Sequence, residues 1–238
     1  MSKSPISFVA AILLAGGSGE RFGGEVPKQF VEVAGVPMFE HPLATFDSLD
    51  AIGAVVLVVP AGSDVGDLSH FTKLVSVVTG GATRQASVAE GLIALPEATD
   101  AVLVHDAARP AVTAVMVRRV LDGLISPFKG CIPVIPIQDA IKEVSMSNEV
   151  LASKARTGLW RAQTPQAFDR EAFEQALARC DADGFSAEDC SQMLLRNGAR
   201  VTTVEGDPMN IKVTTGRDIA LCEAILTARK QAWPMRAQ

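Results

Sequence analysis

Six short apolar runs punctuate the chain: Phe8–Leu14, Ala54–Val59, Leu74–Val78, Ala101–His105, Cys131–Val134 and Val201–Val204. They are rich in β-branched residues and continuous rather than alternating, as expected of parallel strands covered on both faces. Helical patterns lie between them, at Met38–Ser48, Gln85–Ala94, Ala114–Ile125, Arg170–Ala178, Glu188–Asn197 and Thr215–Ala228. Thr113 and Asp169 stand where N-caps belong, and Gly198 follows Asn197 as a C-terminal glycine. Strand–helix alternation predicts an α/β fold with a doubly wound, mostly parallel sheet. Ligands of such a sheet sit at the strands' carboxyl ends.

Residues 135–166 break this rhythm. The stretch holds Pro136, Pro165 and the turn-like Met146-Ser147-Asn148. Around them are the alternating Ala140-Ile141-Lys142-Glu143-Val144 and, later, Gly158-Leu159-Trp160-Arg161-Ala162-Gln163. We read these two runs as the strands of an excursion from the main sheet. A lone hairpin is marginal in water, so the excursion is expected to pack on something, a second subunit being the reasonable guess.

Composition narrows the class. A length of 238 residues with 48% hydrophobic residues is enough for a full core and argues against disorder. The net charge of −5 disfavours general nucleic-acid binding, so cations that matter must be local. Cys131, Cys180, Cys190 and Cys222 form no C-x-x-C pair. They read as reduced thiols of a cytoplasmic protein rather than as a zinc site or a disulfide framework. The first apolar run is too short for a signal or membrane-spanning helix, so no membrane association is expected.

The candidate chemistry begins where the first strand ends. Gly16 to Lys28 contains five glycines, Arg21 and Lys28. Glycines allow close backbone approach to a ligand, and successive N–H groups make a concavity for anions. The loop departs from the dinucleotide fingerprint because Phe22 occupies the third glycine position, and from the P-loop because Pro27 precedes Lys28 and Gln29 follows it. A plain turn would need neither cation.

Four further clusters follow. Val102–His105 runs into Asp106, Ala107, Ala108 and Arg109, which puts a carboxylate at the ligand edge, suited to Mg²⁺ shared with substrate phosphates. Pairing with Arg109 is the alternative role for Asp106. His105 points to the other face of the strand and reads as structural. Gly80-Gly81-Ala82-Thr83-Arg84, with Ser87 beyond, is a strand–turn–helix that could hold a base or ribose. Lys212, between Ile211 and Val213, must point away from the side those two occupy, either into a cleft as a third phosphate-facing cation or out to solvent as a snorkelling surface lysine. Arg156, with Thr164-Pro165-Gln166, forms the last cluster. A glycine loop, a strand-end Asp, isolated cations and no evident nucleophile fit nucleotidyl transfer, in which the protein mainly positions groups and stabilises charge.

These motifs together resemble the 2-C-methyl-D-erythritol 4-phosphate cytidylyltransferase family. The resemblance rests on Leu14–Arg21, Pro27-Lys28-Gln29, Gly80-Gly81 with Arg84 and Ser87, His105–Pro110, Gly158-Leu159-Trp160 with Gln163–Gln166, and Asn210–Thr214. It implies one Rossmann-like nucleotidyltransferase domain over residues 1–238, with an arm at about 137–160 exchanged in a homodimer. It implies CTP and a methylerythritol phosphate as substrates, with Mg²⁺ as cofactor held at Asp106. Arg21 and Lys28 would stabilise the transition state, and Lys212 and Arg156 would position the attacking phosphate, Arg156 in the partner's site. Ala15, Gly16, Gly17, Gly19, Gly81, Arg84, Ser87, Asp106, Ala107, Arg109 and Thr164 would line the nucleotide and substrate sites. A sister enzyme acting on another polyol phosphate, such as ribitol 5-phosphate, is the alternative. Ala140 stands where the family often has Thr, Ala82 where an acidic residue often follows Gly81, and Ala187-Glu188-Asp189 replaces a Thr-Asp-Asp/Glu pattern.

Overall fold

The structure, a computed structural model, describes residues 6–16 and 28–232, with side chains to residue 230. After β1 (Val9–Leu14), a 3-10 turn at Lys28–Phe30 leads to the small hairpin β2 (Glu32–Val33) and β3 (Val36–Pro37). Then come α1 (Glu40–Asp47), β4 (Ala54–Val59), β5 (Leu74–Thr79), α2 (Arg84–Ile93), β6 (Ala101–Asp106) and α3 (Ala114–Asp122). The second half contains β7 (Gly130–Pro136), β8 (Ile141–Val144), β9 (Val150–Lys154), β10 (Trp160–Ala162) and β11 (Gln166–Asp169). It ends with α4 (Arg170–Ala182), α5 (Cys190–Arg196), β12 (Val201–Glu205) and α6 (Arg217–Ala232).

The main sheet runs β5-β4-β1-β6-β11-β7. Because β10 pairs with β7 in nearly the same register as β11, the two lie end to end along one edge of β7, and β12 takes the other. Neighbours among β5, β4, β1 and β6 are parallel, and β12 is parallel to β7. Only β10 and β11 run antiparallel within this sheet, among the described residues. The carboxyl ends of β1, β4, β5 and β6 therefore share one edge, where the expected ligand crevice lies.

Side-chain alternation splits the core between the faces. Val9, Ala11 and Leu13 of β1 join Phe39, Phe46 and Val117 in one cluster. Ala10, Ile12 and Leu14 join Val88, Leu92 and Phe173 in the other. Ile12 is fully buried, so Ile12→Ala would cost about 2–5 kcal/mol. A third, smaller cluster of Val33, Met38, Ala111, Val213, Cys222 and Ile225 fastens α6 to the β2–β3 hairpin. Thr113 and Asp169 do cap α3 and α4, and Gly198 takes positive φ after α5. All four cysteines are buried and free. Among the described residues no helix is long and apolar enough to cross a membrane.

Two expectations are corrected. The excursion pairs Ile141–Val144 with Val150–Lys154, and Trp160–Ala162 returns to the main sheet against β7. The run Val150-Leu151-Ala152-Ser153-Lys154 lacks the aromatic and turn signals that mark the segment around Trp160. Moreover, β5 is not covered on both faces: it is an edge strand, and Val75 and Val77 are exposed.

Candidate active site

The first strand ends in Leu14, Ala15 and Gly16, with Ala15 buried and its N–H donating to Val58 O at 2.7 Å. Across from it, β5 runs through Gly80 and Gly81 into α2, whose N-cap Thr83 accepts from Ala86 N at 3.0 Å. A Cβ on Gly81 would meet Ala86 Cβ at 2.4 Å, and one on Gly80 would meet Ser87 Oγ at 2.7 Å. Glycine is required there because the chain passes hard against the first turn of α2. Leu14, Gly16, Gly80, Gly81, Arg84 and Ser87, with Pro60, Ala61, Ala82 and Thr83, line an open cavity of about 660 Å³. That volume suits a small-molecule ligand.

Asp106 closes the strand end beside this cavity. Its Oδ1 accepts from Arg84 Nε at 3.2 Å and Nη2 at 3.0 Å, and its Oδ2 accepts from Lys212 Nζ at 2.7 Å. Burial works against its charge, but Arg84 and Lys212 more than reverse that effect, so the carboxyl is held well below the usual carboxylate range. One carboxylate between two cations leaves a positive balance at the cleft, which favours an anionic ligand. The pairing considered from sequence, Asp106 with Arg109, is not the one formed: Arg109 Nη1 donates to Asn210 O at 2.8 Å instead.

Lys212 reaches Asp106 because the loop that carries it is tied on several sides. Asp207 Oδ1 accepts from Met209 N at 2.8 Å, tightening the turn ahead of the lysine. The Gln163 side chain donates to Asp207 O at 2.9 Å and accepts from Asp207 N at 3.0 Å. Arg229 Nη2 of α6 holds Asp207 Oδ2 at 2.6 Å. Val213 N donates to Ala108 O at 2.7 Å, and Lys28 Nζ donates to Val213 O at 3.1 Å. Val213 is fully buried, so Lys212 turns the other way, and its contact with Asp106 shows that it enters the cleft and is not a surface lysine.

The structure thus brings Ala15, Gly16, Lys28, Gly81, Arg84, Ser87, Asp106, Ala107, Arg109, Thr164 and Lys212 to one edge of the sheet. Ala107 is buried, its N–H donating to Leu14 O at 2.9 Å, and Thr164 Oγ1 accepts from Asp106 N at 3.1 Å. Arg156 is not brought in: it is exposed at the foot of the β8–β9 arm and donates to Gln138 O. Among the described residues no hydrogen bond or ion pair joins it to Asp106 or Lys212. Gly17, Gly19 and Arg21 lie outside the described residues. Ala82 lines the cavity, while Ala140 is exposed ahead of β8. Asp189 caps α5 and its Oδ2 accepts from Gln166 Nε2 at 3.0 Å, so it serves the scaffold. The pairing of Asp207 with Arg229 is not recognisable in the sequence, where 22 positions separate the two and no local pattern links them.

Among the described residues no three His, Cys, Asp or Glu side chains gather to hold a metal. Asp106 is the strand-end carboxylate that could hold a cation, its Oδ1 taken up by Arg84 and its Oδ2 keeping a lone pair beyond the one given to Lys212; Mg²⁺ commonly takes one or two carboxylates and fills its other positions with phosphate oxygens and water.

Comparison with known proteins agrees in both sequence and structure. The family model described as 2-C-methyl-D-erythritol 4-phosphate cytidylyltransferase matches residues 9–228. The chain is 38% identical over 224 residues to the protein of that name from Chromobacterium violaceum, covering 93% of this chain and 99% of the relative. It is 39% identical over 234 residues to the one from Xanthomonas campestris pv. campestris strain 8004, covering 96% and 88%. The crystal structure of the Thermus thermophilus enzyme superposes with a TM-score of 0.78 at 31% identity, covering 92% of this chain and 98% of that one. The Francisella tularensis structure gives 0.80 at 26% identity, covering 92% and 100%.

Proposed function

The chain belongs to the 2-C-methyl-D-erythritol 4-phosphate cytidylyltransferase family, and from that premise we propose how its residues divide the reaction. The activity is cytidylyl transfer to 2-C-methyl-D-erythritol 4-phosphate, a step of isoprenoid biosynthesis. In our reading CTP is the donor. Its base and ribose enter the cavity lined by Gly16, Gly80, Gly81 and Ser87, and its triphosphate lies toward Lys28 and Lys212. A phosphate oxygen of the methylerythritol compound attacks the α-phosphorus, the bond to the β-phosphate oxygen breaks, and pyrophosphate leaves.

No side chain needs to form a covalent bond in this transfer. Lys28, Lys212 and Arg21 offset the charge that grows on the transferring and leaving oxygens. Arg84 and Asp106 set the wall against which the nucleotide is oriented, and Arg109 and Thr164 support that wall. Mg²⁺, held by Asp106 together with substrate phosphates, would supply further charge neutralisation. The observation that carries the reading is the Arg84–Asp106–Lys212 triad, three groups from distant segments converging beside a glycine-walled cavity.

The β8–β9 arm supports a homodimer. Val144, Met146, Val150 and Leu151 are exposed apolar groups on a two-stranded sheet that stands apart from the main one. Exchange of arms would cover them and carry Arg156 toward the partner's cleft. Four buried free thiols suit a reducing, cytoplasmic setting. The test of the catalytic reading is pyrophosphate release with each nucleotide in turn, with methylerythritol phosphate or ribitol 5-phosphate as acceptor. We expect turnover with CTP and methylerythritol phosphate, abolished by chelation and restored by Mg²⁺. Strong turnover of ribitol 5-phosphate alone would overturn the acceptor assignment.

A further inference from the structure

His105 precedes Asp106 on β6 and is fully buried on the opposite face of the strand. Its Nε2 lies 3.1 Å from Arg109 O, and a carbonyl can only accept, so Nε2 carries a hydrogen. Its Nδ1 lies 3.0 Å from Thr164 Oγ1, the same oxygen that accepts Asp106 N–H at 3.1 Å. The surroundings oppose a charged ring. The ring is fully buried, Phe46 packs edge-on at 5.4 Å, and its two nitrogens meet a carbonyl and a hydroxyl, neither of them an anion that would hold a charged imidazole. In the neutral ring Nδ1 is then an acceptor, and the Thr164 hydroxyl must donate to it.

Every hydrogen in the chain therefore has a direction. Asp106 N–H points to Thr164 Oγ1, Thr164 O–H to His105 Nδ1, and His105 Nε2–H to Arg109 O. The circuit closes because Arg109 N–H donates to Asp106 O at 2.9 Å. We propose that His105, locked as the Nε2–H tautomer, is a positioning residue of the transferase site that fixes the Asp106–Arg109 turn and commits the Thr164 hydroxyl hydrogen inward. The role rests on the cytidylyl-transfer reading above. Both ring nitrogens are engaged by the protein, so His105 is no general acid or base. Thr164 Oγ1 then has one lone pair left, so any partner it takes from a substrate is a donor such as a polyol hydroxyl, not a phosphate oxygen.

The experiment begins with long-range ¹H–¹⁵N correlation of ¹⁵N-histidine-labelled full-length protein at neutral pH. The chain has three histidines, and His105 is assigned by its response to Thr164→Val and its loss in His105→Gln. We expect a protonated Nε2, slow to exchange, and an unprotonated Nδ1 whose shift moves in Thr164→Val. Steady-state kinetics follow. His105→Gln and Thr164→Val should each lower kcat about tenfold or more, with the KM for CTP changed less than about threefold, because His105 and Thr164 stand behind the wall that Arg84 and Asp106 present to the nucleotide. The double variant should be no slower than the slower single one, since both break one circuit. An Nδ1–H tautomer, independent multiplication of the two effects, or a change in KM alone would each overturn the proposal. Should His105→Gln fail to fold, the wild-type spectrum and Thr164→Val still decide. Wild-type protein without cytidylyl transfer would sink the functional reading and leave the tautomer result standing.

Discussion

The cleft and the arm are built on opposite terms. At the cleft, contacts far apart in sequence meet in a small space: Asp106 binds Arg84 and Lys212, and the Lys212 loop is held by Gln163, Ala108 and Arg229. The arm is held by contacts between its own two strands, such as Lys142 Nζ to Ser153 Oγ at 2.6 Å, and it leaves Met146 and Leu151 exposed. A cooperative fold protects groups pinned by many independent long-range contacts, whereas a lone hairpin opens with little free energy. The contrast teaches that the charged cleft is prepared within one chain, whereas in the proposed homodimer the arm would draw its order from the partner.

The harshest way to break the cleft is to remove the charge at its centre. Asp106→Asn leaves Arg84 and Lys212 repelling one another beside the cavity. We expect kcat/KM to fall by about 10²–10³ or more, with a lower melting temperature. A loss below tenfold in a pyrophosphate-release assay would show that the triad is scaffold only.

The arm is tested by complementation. Lys28→Ala and Arg156→Ala homodimers should both be nearly inactive. After mixing and subunit exchange, half of the dimers carry both kinds of chain. If Arg156 acts across the interface, one site in each mixed dimer is intact, so activity should return to about a quarter of wild type in a symmetric assembly. No recovery would place Arg156 in its own chain's site. Met146→Ser with Leu151→Ser should shift sedimentation toward monomer while leaving the melting of the main sheet unchanged.

Acid sharpens the comparison, because the buried imidazole belongs to the cleft alone. The folded pKa of His105, about 4, is depressed below its unfolded value near 6.5. Between those values the unfolded chain binds a proton that the folded chain refuses, so stability rises with pH. The contribution is complete above pH 6.5 and is lost as pH falls toward 4, a change of about 3 kcal/mol. Denaturant midpoints measured from about pH 7 to about 4.5 should fall in wild type, with a shallower slope in His105→Gln. Equal slopes would mean that the buried ring titrates normally.

The same contrast explains what the sequence discloses. Buried parallel strands such as Ala54–Val59 and Ala101–Asp106 announce themselves as apolar runs, and the glycines at 80 and 81 mark a backbone pressed against a helix. Gln166–Asp169 is silent, because four residues behind Thr164-Pro165 carry no period and become a strand only by filling the slot between β6 and β7. The pattern points to Trp160 for the arm's second strand, wrongly, because Val150–Lys154 is solvated on both sides and its residues report no core. Lys212 is legible from its apolar neighbours. Its support by Asp207 and Arg229 is not, since a contact formed by tertiary folding leaves no mark in local sequence.

That support gives the mildest test. Arg229 Nη2 meets Asp207 Oδ2 at 2.6 Å, and the two side chains are 24% and 28% exposed. Partial solvent access limits what the pair adds to folding, so Arg229→Gln should lower stability by about 1 kcal/mol or less. Its larger consequence lies in geometry. Asp207 Oδ1 also holds the turn at Met209, so loosening Oδ2 widens the range of positions that Lys212 samples, five residues on. We expect kcat to drop about threefold to tenfold while the KM for CTP stays nearly constant, because the cavity lined by Gly80, Gly81 and Ser87 is untouched. Arg229→Lys keeps a cation near Asp207 and should recover part of the rate. If both variants lose equal activity, the guanidinium is needed for its hold on Ala111 O and not for steering Lys212.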